Sequence, residues 1–312
     1  MRAPHETRPA RIEMSPPPTY LAPPMSAAAQ PTTATILVTC PDRRGIVAAL
    51  AQVLHGHGAN ILDSDQHTDP VAAKFFQRIR FDAADLVTDR GTLERALGEV
   101  ADRFGMKWQI AWEGVRKRLA IFVSKYDHCL WDLLLRHRAG ELVCEIPLIV
   151  SNHEDLRPIA EQFGIRFEVF AITKDTKRAQ EERELALLRD ARIDLVVLAR
   201  YMQVLSGELL AAAPRVINIH HSFLPAFMGG RPYHQAFERG VKLIGATAHY
   251  ATTDLDEGPI IHQGVAPVTH RDSIDDLVRK GRDLERTVLA HAVRCHIEDR
   301  IAVYDNKTVV FA

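Results

Sequence analysis

The 312 residues are 46% apolar and 25% charged, with 39 Lys and Arg against 40 Asp and Glu, a formal net charge of −1. A chain of this length can bury two cores, and its balanced charge argues against broad attraction to nucleic acid or anionic membrane. No apolar run reaches the roughly 18 to 20 residues that span a bilayer. The four cysteines (Cys40, Cys129, Cys144, Cys295) form no Cys-x-x-Cys pair, which points away from a zinc ribbon and towards a reduced, cytoplasmic setting.

Residues 1–31 carry Pro16-Pro17-Pro18 and Pro23-Pro24 and no packable apolar pattern, so a disordered tail is expected. No apolar stretch follows the basic start, unlike a signal peptide. Glu6, Glu13 and the prolines argue against a transit helix, and Met14 and Met25 are alternative starts.

Residues 32–114 are expected to form one unit. Ala34 to Cys40 reads as a strand, and Pro41-Asp42-Arg43-Arg44-Gly45 as a turn. Ile46, Val47, Leu50 and Leu54 follow at helical spacing. Gly58-Ala59-Asn60 breaks into a strand at Ile61 to Ser64. Lys74 to Phe81 alternates as a further strand, Leu93 to Phe104 reads as a helix, and Met106 to Trp112 as the last strand. The order βαββαβ is the ferredoxin-like split pattern. With Cys40-Pro41-Asp42-Arg43-Arg44-Gly45-Ile46-Val47 leading from strand to helix, it resembles an ACT domain. That resemblance implies amino-acid binding between paired copies, hence a homo-oligomer (dimer or tetramer), with Asp42, Gly45 and Asn60 as effector contacts. The plainer alternative gives Gly45 and Asn60 to turn geometry and Asp42 to a helix cap.

Arg116-Lys117-Arg118 reads as a solvated linker. From residue 118 to 312 the pattern alternates between strands and helices. Strands are expected at Leu119–Val123, Glu145–Val150, Phe167–Ile172, Leu195–Leu198 and Val216–Ile219. Helices are expected at Leu130–His137, Asp155–Phe163 and Arg178–Arg189. Apolar strands between helices predict an α/β, Rossmann-like domain with a mostly parallel sheet covered on both faces. Ligands of such sheets lie outside the strands' carboxyl ends, where His220 falls.

In an extended segment Asn218 and His220 share a side, while His221 points away, which argues against a His220-His221 metal pair. The Asn218 amide and a protonated His220 suit a developing oxyanion. A carboxylate would keep that imidazole protonated. Asp254, Asp256 and Glu257 are the candidates. Asp256 is preferred because it precedes Gly258, although the residues alone favour none of the three strongly. His234, His249 and His262 show no ligand spacing, so no metal is expected.

Asn218-Ile219-His220 followed by Ser222-Phe223-Leu224-Pro225 resembles the signature of folate-dependent formyltransferases. The resemblance implies Asn218 and His220 as the groups that polarise a formyl carbon and Asp256 as the proton manager. It implies Met202, Gln203, Val204 and Leu205 as a pterin wall, and His249, Thr252 and Gly258 as further substrate contacts.

The acceptor is where the pattern departs. The segment after Val123 reads Ser124-Lys125-Tyr126-Asp127-His128-Cys129, without the glycines that cradle a ribose phosphate in the glycinamide ribonucleotide enzymes. No basic C-terminal domain of the tRNA-formylating kind is expected after Val303. Together with the ACT-like unit and Pro232-Tyr233-His234-Gln235-Ala236, this resembles the formyltetrahydrofolate deformylase family, with Gly230 standing where Ala is expected. The implied reaction is hydrolysis of 10-formyltetrahydrofolate, a substrate and not a cofactor, balancing one-carbon pools and supplying formate for purine synthesis. The alternatives are a formyltransferase with another amine acceptor and a regulatory amino-acid-binding protein.

Overall fold

The computed structural model describes residues 32–173, 175–226 and 232–312. The expected disorder of residues 1–31 and the departure at Gly230 lie outside them.

The N-terminal unit runs β1 (Thr33–Pro41), α1 (Ile46–Gly56), β2 (Asn60–Asp69), β3 (Lys74–Asp82), α2 (Arg90–Phe104) and β4 (Lys107–Trp112). The antiparallel sheet has the order β2-β3-β1-β4. Alternation along β1 sends Ile36, Val38 and Cys40 towards the helices, where they meet Ile46, Leu50, Leu54, Leu93 and Leu97. Leu37, and Phe76 on β3, point to the other face and are also buried. At α2 the Asp89 side chain accepts from Thr92 N–H at 2.9 Å, and Gly105 closes the helix with φ 66°. Both are the capping chemistry such ends require.

The second unit runs β5 (Arg118–Val123), α3 (His128–Arg138), β6 (Glu145–Ser151), α4 (Arg157–Gln162), β7 (Arg166–Val169), α5 (Lys177–Asp190), β8 (Leu195–Leu198), α6 (Gly207–Ala212), β9 (Arg215–His220), α7 (Pro232–Arg239), β10 (Leu243–Tyr250), β11 (Ile260–Pro267) and α8 (Ile274–Ile297). Its sheet has the order β11-β10-β9-β8-β5-β6-β7. The five strands from β9 to β7 are parallel, and β10 and β11 are antiparallel. Alternate residues enter different layers. Leu119, Ile121, Val197 and Ile217 join one core with α3 and α8, while Ala120, Phe122, Val196 and Val216 join the other with Leu188 of α5. Burial on both faces explains why these strands read as unbroken apolar runs.

The 24-residue α8 was not among the expected elements. It begins with a capping box, in which Ser273 and Asp276 exchange hydrogen bonds. Its buried face repeats at Leu277, Gly281, Glu285 and Leu289, a four-residue spacing that follows one helix face. No helix among the described residues is long and apolar enough to cross a membrane.

Two expectations change here. Of the run Arg116-Lys117-Arg118, Arg116 is exposed as a solvated linker would be, but Lys117 and Arg118 are half-buried. Lys117 Nζ donates to His296 O at 2.9 Å and to Asp299 Oδ1 at 2.6 Å, and Arg118 Nε donates to Ala191 O at 2.8 Å. Lys117 and Arg118 are thus held by carbonyls and a carboxylate of the second unit. The strand expected at Phe167–Ile172 ends at Val169, and Phe170 turns into the core beside Leu188.

The chain ends in a hairpin, β12 (Ile301–Tyr304) and β13 (Lys307–Val310). It does not extend the seven-stranded sheet. Ala302, Phe311, Tyr304 and Val309 cover Leu37 and Phe76 of the N-terminal sheet, with Phe76 and Tyr304 ring centroids 4.6 Å apart. One sheet face therefore gains its shelter from the far end of the sequence.

Candidate active site

Asn218 and His220 leave the carboxyl end of β9 on one side, as their alternation requires, and both line a cavity of about 550 Å³. The register of the antiparallel neighbour sets His249 directly opposite Asn218. Asn218 Nδ2 donates to His249 Nε2 at 3.2 Å, and His249 Nδ1 lies 3.0 Å from Tyr250 O. A carbonyl only accepts, so Nδ1 carries a proton. In that tautomer Nε2 accepts one N–H of Asn218. This fixes the amide orientation and leaves the second N–H for the cavity.

Asp256 reaches the same point from the loop after β10. Its Oδ2 is 3.1 Å from His220 Nδ1, and its Oδ1 is 3.6 Å from His249 Nε2. Its backbone has φ 59°, a left-handed conformation that Asp tolerates better than most residues. Asp254 and Glu257 are exposed, so only Asp256 of the three candidate carboxylates faces the imidazole. Burial pushes the Asp256 carboxyl up, but the hydrogen bond from His220 and the adjacent His249 outweigh it and hold the group well below its ordinary range. His220 lines the cavity, and its Nε2 is buried without a hydrogen-bond partner among the described residues.

Met202, Gln203, Val204, Leu205 and Thr252 line the same cavity. The wall is held from behind. Met202 N–H donates to Ser124 Oγ at 2.9 Å, Lys177 Nζ donates to Val204 O at 2.7 Å, and Ser206 N–H donates to Glu181 Oε1 at 3.0 Å. Gly258 lies behind the lining. A Cβ there would stand 1.8 Å from Tyr250 O, so its contribution is the close approach of the Asp256 loop to β10.

The Ser222-Phe223-Leu224-Pro225 segment is tied down by Thr247, which faces His220 across the strands. Thr247 Oγ1 donates to Ser222 O at 2.9 Å and accepts from Leu224 N–H at 3.1 Å, and Gln263 Nε2 donates to Leu224 O at 3.0 Å. The motif thus orients the chain leaving His220.

His221 departs from expectation. The strand stops at His220, so alternation stops with it. His221 lines the cavity, its ring 5.1 Å from that of His220 and 6.1 Å from that of Tyr233. Burial, then the charges of Arg200 and His220, lower its pKa to about 4, so it is neutral at pH 7.

Beyond His221 lies a network that sequence reasoning missed. Buried Glu285 on α8 accepts from His128 Nε2 at 2.7 Å and from Tyr233 Oη at 2.7 Å, with Arg200 Nε 3.4 Å away. Tyr233 crosses α8 at Gly281, where a Cβ would meet its hydroxyl at 2.0 Å. Burial raises the Glu285 carboxyl, but His128 and Arg200 outweigh it and keep the group ionised. The only sequence signal was an acidic residue on the apolar stripe of a helix.

His128, Cys129 and Glu285 place a nitrogen, a sulfur and an oxygen within 4.8 Å of one another. Both Glu285 oxygens already accept hydrogen bonds, Arg200 supplies the cation, and burial pushes the Cys129 thiol well up. This donor set fits an ion-pair network better than a metal ion.

The candidate effector residues are not one cluster within the chain. Asp42 and Gly45 follow the end of β1, whereas Asn60 lies level with its start through Asp82. Gly45 carries φ 90°, and α1 has no side-chain cap. Asp42 N–H donates to Ala73 O at 2.9 Å.

Both units are similar to known protein families. A formyl transferase family model matches residues 117–293, and an ACT domain model matches residues 34–103. The chain is 57% identical to a formyltetrahydrofolate deformylase of Synechocystis over 91% of its own length and all of that protein. A crystal structure of a formyltetrahydrofolate deformylase from Pseudomonas syringae superposes with a TM-score of 0.87 at 45% identity, covering 90% of this chain and 94% of that one. A glycinamide ribonucleotide transformylase from Symbiobacterium toebii is similar over 64% of this chain and 97% of its own, with a TM-score of 0.60 at 29% identity.

Proposed function

Because the chain belongs to the formyltetrahydrofolate deformylase family, we propose that it hydrolyses 10-formyltetrahydrofolate to tetrahydrofolate and formate. The observation that carries this reading is the convergence, around one cavity, of Asn218, with a second N–H that has no acceptor among the described residues, His220, with Nε2 likewise unpartnered among them, and the ionised Asp256 carboxylate. These are an oxyanion site and a proton acceptor side by side.

The pterin lies against residues 202–205, and the formyl oxygen faces Asn218 and His220. Protonated His220 is stabilised by Asp256 and donates from Nε2. Water is oriented by Asp256 and attacks the formyl carbon as the carbonyl electron pair moves to oxygen. An acidic carboxyl is a weak base towards free water. A water already bonding to carbon is far more acidic, so Asp256 takes its proton during attack. The tetrahedral species then collapses, the C–N10 bond breaks, and the proton passes from Asp256 to N10. Formic acid leaves as formate after giving up its own proton.

The same reading gives the enzyme a cytoplasmic role in balancing one-carbon pools and supplying formate for purine synthesis. The ACT domain would bind an amino-acid effector where copies of the chain pair.

The test is direct. Purified protein is incubated with 10-formyltetrahydrofolate alone, and formate and tetrahydrofolate are measured. Equal amounts of both support hydrolysis. No formate, with or without amino acids, rejects it, and formyl transfer that begins only when an amine is added favours the transferase reading.

A further inference from the structure

Arg200 stands two residues beyond the end of β8 with φ 64°. A non-glycine residue held there costs of order 1 kcal/mol or more, and such residues cluster at functional sites. Its side chain is only 10% exposed, yet its Nε has no hydrogen-bond acceptor among the described residues. Among the described residues its contacts are the ion pair with Glu285 and the face of Tyr126, with the guanidinium carbon 5.1 Å from the ring centroid. Arg282 approaches the same ring at 5.8 Å. Leaving the buried Nε–H of a guanidinium without an acceptor is costly.

Arg200, Arg282, Tyr126, His221 and Glu285 all border the cavity that holds Asn218 and His220. Two guanidinium cations face one ionised carboxylate, and His221 is neutral at pH 7. This part of the cavity therefore carries a net positive charge, whereas at the reacting groups the Asp256 carboxylate offsets the charge of a protonated His220. A monocarboxylate released beside that neutral pair is attracted here by the two guanidinium groups. A planar three-atom carboxylate also matches the guanidinium fork.

We propose that Arg200 forms a small-carboxylate subsite that receives formate after it is released at Asn218 and His220. The identity of the ligand rests on the hydrolytic reading above, whereas the subsite itself can be tested without turnover.

The test titrates ¹³C-formate into the full-length protein, without folate, and follows its line width by NMR. So small a ligand should bind with a dissociation constant on the order of 1 mM. Arg200→Gln should weaken binding about tenfold or more, and Arg200→Lys should restore part of it, since a cation remains but the fork is lost. Arg200→Gly removes the backbone strain that any side chain leaves here; it should bind as weakly as Arg200→Gln, and a native near-UV circular dichroism spectrum shows that both variants remain folded although Glu285 has lost a partner. Formate affinity unchanged in both Arg200→Gln and Arg200→Gly would overturn the proposal. So would affinity that depends on Asn218 and not on Arg200. Arg200-dependent binding in a protein that releases no formate would uphold the carboxylate subsite and reject the hydrolytic reading. Turnover without Arg200-dependent binding would do the reverse.

Discussion

Asn306, at the turn of the C-terminal hairpin, donates from Nδ2 to the carbonyl of Glu257 at 2.7 Å, one residue beyond Asp256. Thr308 Oγ1 donates to Ile260 O at 2.6 Å. The other face of this hairpin is buried on Leu37 and Phe76 of the ACT domain, and Tyr304 Oη donates to Asp69 Oδ2 at 2.9 Å. The loop that presents the candidate catalytic carboxylate is thus tied to an element that rests on the other domain. Asn306→Ala should remove one hydrogen bond worth about 1 kcal/mol. Turnover should fall roughly fivefold with little change in KM for the folate, as read in steady-state kinetics. Unchanged kcat with a lower Tm would mean that the contact only fastens the hairpin.

Asn218→Ala or His220→Ala should lower kcat by roughly 10² or more, the usual loss for one oxyanion donor. Asp256 is held below its ordinary range, so it remains ionised above about pH 4. Any acid limb in the pH profile between 5 and 7 then belongs to another group. Asp256→Asn should therefore depress turnover at every pH from 5 to 9 without displacing that limb. A folded Asp256→Asn protein with near-normal turnover would remove the residue from the mechanism.

The same shift predicts an acid stability effect. A carboxyl whose pKa is depressed by folding contributes stability above its unfolded pKa, near 3.9, that is lost as pH falls through the lower folded value. Asp256→Asn should thus cost stability at pH 6, and the difference from the parent should shrink below about pH 4, as measured by chemical denaturation.

Glu184 behaves in the opposite sense. It is fully buried on α5, accepts from Tyr201 Oη at 3.2 Å and leaves Oε2 unpaired among the described residues. Burial raises its pKa to about 7, against the opposing hydrogen bond from Tyr201. A raised carboxyl contributes stability that is present below its unfolded pKa and lost as pH rises through the folded value. Glu184→Gln should therefore match the parent near pH 4 and exceed it at pH 8, with Tm higher by roughly 2 °C or more. A Tm difference independent of pH would contradict this account.

Gly258→Ala tests the approach of the Asp256 loop. The new methyl would meet the backbone oxygen of Tyr250 at 1.8 Å, and strand β10 has little room to yield. The loop must move, at a cost of about 1 to 3 kcal/mol. A fall in Tm together with a drop in kcat of about tenfold or more is expected, read by thermal melts and kinetics on the same preparation.

Much of this protein was legible in its sequence because the relevant interactions are local or periodic. Two-residue alternation put Asn218 and His220 on one side, four-residue spacing marked α1, and unbroken apolar runs announced a sheet covered on both faces. Motif resemblance supplied Asp256, which residue type alone left level with Asp254 and Glu257. What the sequence could not decide were contacts between residues distant along the chain. The β9–β10 register put His249 against Asn218, and the left-handed turn at Asp256 brought its carboxylate, rather than its neighbours', to His220. The end of β9 turned His221 into the cavity instead of away from it. Glu285 gathers His128, Arg200 and Tyr233 from three separate elements, and the last hairpin closes over the first domain. Backbone periodicity is written into neighbouring residues, whereas these meetings depend on how sheets, helices and loops pack once both cores have formed.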